Sequence, residues 1–395
     1  MLYYLFRYLE GMDFPGARMF GYVSFRSLMA VILSLLISAI FGEYFIRLLK
    51  RKQITETQRD ATIDPFNVNK VGVPTMGGII IIVAVLIPCL LLGKLENIYM
   101  ILMLITTLWL GTLGFLDDYI KVFKHNKDGM SARMKLLLQF GLGMVIALSV
   151  CISPDIHSDR LVTTSPFVKE HEFDYSWLSI FKGQLGVYVS WGIYMIMIIF
   201  VILACSNGTN LSDGIDGLAS GNSALVGVVL GIFAYLGGNV INSDYLNIMY
   251  IPGSGEIAVF MAAFVGALVA FLWYNSYPAQ VFMGDTGSLM IGGVIGVCAV
   301  LIRKELLLPV LCGIFFVESL SVLIQRFYFK YTKKRTGKGK RIFKMAPLHH
   351  HFQKEGIEAV ISKPSRAMHE VKITTRFWIV GIILAVLSIA LLKVR

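Results

Sequence analysis

The sequence predicts an all-α polytopic membrane protein of about ten transmembrane helices, with both termini outside. Three observations lead there. Of its 395 residues, 56% are hydrophobic and only 15% charged, against roughly 25% charged in an ordinary soluble domain. The apolar residues gather into runs of about 17 to 25, the length a helix needs to cross a ~30 Å hydrocarbon core. The basic residues fall between these runs, on alternate loops. A soluble α/β protein with large buried helices accounts for none of this.

The first span is Phe25–Leu48. Met1 to Arg26 scatters charges among aromatics and shows no cleavable signal pattern, so this first run stays as a helix. Met76–Leu92 follows a Pro and Gly pair that shapes its entry. Ile98–Leu116 ends on paired acids, and Met134–Ile152 starts from a basic loop. Gly186–Cys205 and Leu218–Leu236 flank a segment rich in Asn, Asp and Gly. Ile257–Trp273 leads to a second such segment. Gly287–Ile302 and Leu306–Arg326 are split only by Arg303-Lys304-Glu305, and Phe377–Leu392 closes the chain. No repeat interrupts the pattern, so residues 1–395 read as a single polytopic domain.

Loop charge sets the orientation. Arg47, Lys50, Arg51, Lys52, Arg59 and Lys70 lie between spans one and two. Lys121, Lys124, Lys127, Arg133 and Lys135 lie between three and four, and a long basic loop separates nine from ten. The loop Ser153–Gln184 is acid-rich instead. Positive loops stay in the cytoplasm, so the odd-numbered loops face inward. The net charge of +11 thus serves topology and anionic lipids or phosphorylated substrates. It forms no basic and aromatic surface for nucleic acid. The five cysteines lie mostly inside apolar runs without metal-ligand spacing and read as core or lipid-facing residues.

Every unusual polar cluster falls on that inward side. Asp117 and Asp118 are adjacent carboxylates at a membrane edge, where desolvation and repulsion demand a cation or cationic neighbours. They diverge by about 100° on a helix, so they have different tasks. Asn210-Leu211-Ser212-Asp213-Gly214-Ile215-Asp216-Gly217 places two acids three apart, with glycines allowing close backbone approach to a ligand. It lacks the spacing and closing Glu of a calcium loop. The stretch from Asn275 to Leu289 includes Phe282-Met283-Gly284-Asp285-Thr286-Gly287-Ser288, a carboxylate among amides and hydroxyls at a helix start. Such a start can hold a cation and phosphate oxygens, or Asp285 can simply cap it. His349-His350-His351 lies in the large basic loop, and no Cys or second His pair stands at zinc spacing. Asn69-Lys70-Val71-Gly72-Val73-Pro74-Thr75 completes the group. Acids for a metal, lysines for phosphate and glycines for close approach describe phosphoryl transfer. Transport is the rival, but these acids lie at helix ends rather than at the midplane.

Taken together and in order, Phe115-Leu116-Asp117-Asp118-Tyr119, Asn210 to Ala219, Phe282 to Leu289 and Ala346-Pro347-Leu348-His349-His350-His351-Phe352 resemble the phospho-N-acetylmuramoyl-pentapeptide-transferases. The His run and Pro74-Thr75-Met76-Gly77-Gly78 favour that family over other polyprenyl-phosphate phosphosugar transferases. Val73 stands where the family commonly has Thr, and the outer loop Ser153–Gln184 is long for it. The resemblance implies a multi-pass protein of the bacterial inner membrane with its active site facing the cytoplasm. It implies UDP-N-acetylmuramoyl-pentapeptide as donor, undecaprenyl phosphate as acceptor, Mg2+ as cofactor and a homodimer in the membrane lipid. Under it the catalytic candidates are Asp117, Asp118, Asp285, His349, His350 and His351, with Asp285 the metal ligand. The substrate-binding candidates are Lys70, Thr75, Lys121, Lys135, Asn210, Asp213, Asp216, Asn275 and Phe282. Of these, Phe282, Asn210 and Asp213 resemble a uracil site. Asp117 or Asp118 would deprotonate or orient the acceptor. Attack could be direct or pass through an Asp-bound intermediate.

Overall fold

The computed structural model describes residues 1–52, 72–124, 126, 128–154, 156, 161–165 and 172–392, and each apolar run read above falls on helix. The helices are α1 (Leu2–Glu10), α2 (Val23–Arg51), α3 (Gly78–Leu92), α4 (Ile98–Phe123), α5 (Ala132–Ile152), α6 (Gly183–Ser212) and α7 (Leu218–Gly237). There follow α8 (Val240–Leu246), α9 (Gly255–Asn275), α10 (Gly284–Leu301), α11 (Leu308–Leu311), α12 (Gly313–Thr336), α13 (Leu348–Gln353) and α14 (Glu370–Leu391). Among the described residues eight of these are long and apolar enough to cross a membrane, and α11 with α12 makes a ninth if the bent pair counts as one span. α3, at 15 residues, is shorter.

Hydropathy marks where side chains turn polar, but backbone hydrogen bonding continues past that point. α4 therefore runs beyond Leu116 to Phe123, and α6 beyond Cys205 to Ser212. The extensions matter because they carry Asp117, Asp118, Lys121 and Asn210 on rigid helix rather than loop. The ninth run differs more. It bends by 78° between α11 and α12, which meet at Cys312.

α10 is the axis of the bundle, nearly wholly buried between α4 and α6, with α3 and α7 also touching it. α9 packs on α2 and α7, while α14 lies outside against α7 and α11. Small residues allow the close crossings: a Cβ on Gly292 of α10 would meet the Cys205 carbonyl oxygen of α6 at 2.3 Å.

The end away from the acids is fastened by buried charge. Arg26 of α2 grips Glu256 of α9 through its two terminal guanidinium nitrogens, at 2.8 and 2.6 Å, and also donates to Leu92 O at the end of α3. A paired, bidentate geometry is what makes such burial tolerable. The charged triplet after α10 is likewise buried. Lys304 donates to Thr164 Oγ1 at 2.6 Å, and Glu305 accepts from Tyr175 Oη at 3.1 Å. Arg303 reaches the Tyr194 hydroxyl. Burial pulls the Lys304 ammonium down to about 8. The partners Thr164 and Tyr175 belong to a small strand pair, β1 (Val162–Thr164) antiparallel to β2 (Glu172–Asp174), and the turn after it.

Candidate active site

Where α4 ends, its two acids face different ways. Asp118 turns toward α10. Its Oδ1 accepts the Asp285 N–H at 3.1 Å, and its Oδ2 accepts the Thr286 N–H at 2.9 Å and the Thr286 hydroxyl at 2.6 Å. A carboxylate from one helix thus caps the positive end of another. Gly284 lets the two meet: its φ is +72°, and a Cβ there would stand 2.5 Å from Asp118 Oδ2.

Asp117 faces the other side, where two ammonium groups bridge it to Asp285. Lys121 Nζ lies 2.7 Å from Asp117 Oδ2 and 3.0 Å from Asp285 Oδ2. Lys135 Nζ, at the start of α5, lies 2.8 Å from each. Lys121 sits one turn after Asp117, so a single helix face supplies both charges. Asp117 Oδ1 accepts the Met130 N–H at 2.7 Å, which ties the α4–α5 turn to the cluster. On the far side Asp285 Oδ1 accepts from Asn210 Nδ2 at 2.9 Å, and that amide also donates to Ser288 Oγ. Oxygens of Asp117, Asp118 and Asp285 lie within 4.8 Å of one another. Asp117 and Asp118 are buried, whereas the side chains of Asp285 and Lys135 are 16% and 22% exposed. The cluster opens toward solvent through those two and Lys121, whose side chain is 32% exposed.

Other candidates brace the neighbouring segments. Asp216 Oδ2 accepts the Ala279 N–H, and Asn275 holds Gly217 N, Ser220 Oγ and Val281 O. They lock the turn after α6 to the segment before α10. Phe282 joins a short backbone pairing with the extended segment before α3. It donates to Pro74 O and accepts from Gly77 N, each at 2.8 Å. Thr75 is buried beside Gly284. Asp213 is half-buried at the end of α6. Lys70 lies outside the described residues.

The three histidines have three different settings. His349 is wholly buried, with its ring Nδ1 3.1 Å from Glu318 Oε2. His350 Nδ1 meets Gln353 Oε1 at 2.7 Å. His351 accepts the Lys344 N–H at Nδ1 and reaches Lys363 O through Nε2. Burial lowers the pKa of His351, and the nearby Lys344 charge adds to that against the Lys363 carbonyl. The His run meets the Asp213–Gly217 turn at Gly214, where a Cβ would fall 2.2 Å from His349 Nε2.

A family model described as glycosyl transferase family 4 matches residues 100–303, just over half of the chain. Full-length similarity is closer still. The chain is 59% identical to the phospho-N-acetylmuramoyl-pentapeptide-transferase of Phocaeicola vulgatus and 57% identical to that of Bacteroides fragilis. It is 52% identical to the one from Porphyromonas gingivalis, and in all three cases both chains are covered completely. The chain belongs to the phospho-N-acetylmuramoyl-pentapeptide-transferase family.

Within this member of the phospho-N-acetylmuramoyl-pentapeptide-transferase family, two carboxylates at the site escape a reading of motifs. Glu370, at the start of α14, accepts the Asp216 N–H through Oε1. Glu318, inside α12, accepts from His349. The available signal was modest: a lone acid inside an apolar span is a functional pointer, and Glu318 is one.

Proposed function

We propose that this chain moves phospho-N-acetylmuramoyl-pentapeptide from its UDP-linked donor to undecaprenyl phosphate, releasing UMP and forming the lipid-linked product. The observation that carries this reading is the Asp117–Asp285 pair bridged by Lys121 and Lys135, in a chain whose full-length relatives bear that enzyme name. The basic loops orient this end toward the cytoplasm of a bacterial inner membrane. A homodimer is part of the same proposal.

The donor set suits magnesium. Oxygens of Asp117, Asp118 and Asp285 lie within reach of one another; Asp118's are engaged by the α10 N-terminus, which leaves Asp117 and Asp285, and magnesium takes one or two carboxylates together with substrate phosphates. Asp285, which is reachable from solvent and adjoins Asp117, would hold it. Such an ion supplies charge neutralisation on the pyrophosphate.

The chain's own groups do the rest. Asp118 spends both oxygens on the α10 N-terminus and so fixes Asp285 in place. Asp117 is the acid left facing the lysines, which makes it the group to orient the acceptor phosphate. Lys121 and Lys135 exchange carboxylate for phosphate oxygens as substrates arrive, with Lys70 a further phosphate contact. Phe282, Asn210 and Asp213 receive the uracil. A lipid phosphate oxygen attacks the phosphorus attached to the sugar, and the bond to the UMP oxygen breaks. One phosphoanhydride replaces another, so the reaction is nearly balanced and reversible.

The test is UMP release by the purified protein, with Asp285→Ala alongside. Release that needs donor, undecaprenyl phosphate and Mg2+ together, and vanishes in the variant, supports the proposal. No release from a folded preparation sinks the donor assignment.

A further inference from the structure

Glu318 occupies an unusual position, a carboxylate with no exposed surface inside α12. Burying a carboxylate is costly unless donors meet it. Here the donors come from one residue. The His349 N–H points at Oε1 and Oε2 from 3.2 and 3.4 Å, and the His349 ring Nδ1 is 3.1 Å from Oε2. An ionised carboxylate can only accept, so this pairing calls for the proton on Nδ1 and leaves Nε2 as the acceptor of a neutral ring. That Nε2 is buried, has no hydrogen-bond partner among the described residues, and faces Gly214 so closely that a Cβ at that position would come to 2.2 Å. Gly214 sits between Asp213 and Asp216, in the turn that Glu370 and Ala279 hold in place.

We infer that Glu318 is a positioning residue for the transfer reaction: it fixes the tautomer and orientation of His349 so that Nε2 is presented to the Asp213–Gly217 turn. The inference rests on the reading of His349 as a catalytic candidate of the proposed transfer and names what holds that ring. Two fixed hydrogen bonds to one carboxylate define both the ring plane and the protonated nitrogen. A carboxylate behind a metal-bound histidine does this in other proteins, where removing it typically costs about 10- to 100-fold, and the same orienting effect is expected for a ring without a metal.

Two measurements test it. The first is a kinetic cycle of Glu318→Gln, His349→Ala and the double variant, each checked for thermal stability. The expected result is at least about a tenfold loss of kcat in Glu318→Gln with donor KM within about twofold. The double variant should be no slower than His349→Ala alone, because Glu318 acts only through that ring. Multiplying losses, or a wild-type rate in Glu318→Gln, would overturn the inference. The second uses no variant at the carboxylate: 15N spectroscopy of histidine-labelled wild type, with His349→Asn identifying the signal. A protonated Nδ1 supports the inference and a bare Nδ1 overturns it, even if Glu318→Gln does not fold. Wild-type protein that releases no UMP would defeat the proposed function while leaving the tautomer result standing.

Discussion

Gly114 of α4 and Asp285 of α10 pass so closely that a Cβ on the glycine would sit 2.2 Å from the Asp285 carbonyl oxygen and 2.6 Å from Thr286 Cα. Both obstacles are backbone, so neither can swing aside. The absence of a side chain at residue 114 is what lets the two acid-bearing helices bring their carboxylates together. Gly114→Ala is expected to lower stability by about 1–3 kcal/mol, the usual cost of overpacking, and to reduce UMP release more than tenfold by moving Asp285. Thermal unfolding in detergent and the release assay, run together, check this. A variant with normal activity would show that the crossing tolerates a shift.

Asp118 and Asp285 should separate stability from chemistry. Asp118→Asn weakens the cap on α10, an effect of about 1 kcal/mol, and is expected to lower the unfolding temperature. Asp285→Asn leaves that cap intact and is expected to abolish transfer with little change in unfolding temperature. The reverse pattern would exchange the two roles.

Lys121 and Lys135 contact the same two carboxylate oxygens. Replacing Lys135 with Met is therefore expected to cost about 100-fold in kcat, the scale for removing one charge-stabilising donor. The double variant with Lys121→Met should lose less than the product of the single losses. A wild-type rate in Lys135→Met would remove it from the phosphate-binding set.

Chelation offers a test of the metal. Activity should vanish with excess EDTA and return with Mg2+, and Asp285→Ala should not recover at any Mg2+ concentration tried. Undiminished transfer after chelation would exclude a divalent ion from the reaction.

His351 gives a pH signature. Its folded-state pKa lies below the model-peptide value of about 6.5, so the folded protein binds fewer protons than the unfolded chain over that interval. The stability it contributes is present above about pH 6.5 and is lost as the pH falls through the folded-state value. The unfolding temperature should therefore drop on acidification, and His351→Asn should show a shallower drop. Identical slopes would argue that other groups set the acid sensitivity.

The apolar runs were legible because a bilayer imposes length and composition on each span by itself. Asp117, Asp118 and Asp285 were legible because acids at span ends stand out locally. Their division of labour was not. Asp118 works as a cap only because α10 arrives 167 residues later in sequence, and Glu370 meets a backbone amide 154 residues earlier. The bend at Cys312 was hidden for a related reason: hydropathy is blind to direction, so a run split by 78° reads like a straight one. Asp216 and Asn275 were visible as polar residues, but whether such groups meet a ligand or a neighbouring backbone is decided by tertiary packing.

The turn from Asp213 to Gly217 is held from outside by α14. Glu370 takes the Asp216 amide, Thr374 donates to the Asp216 carbonyl, and Trp378 donates to the Gly217 carbonyl. The shape of the turn between α6 and α7 therefore depends on α14 staying docked, and loosening that helix, as by Trp378→Ala, is expected to disturb a polar segment to which the altered residue does not belong.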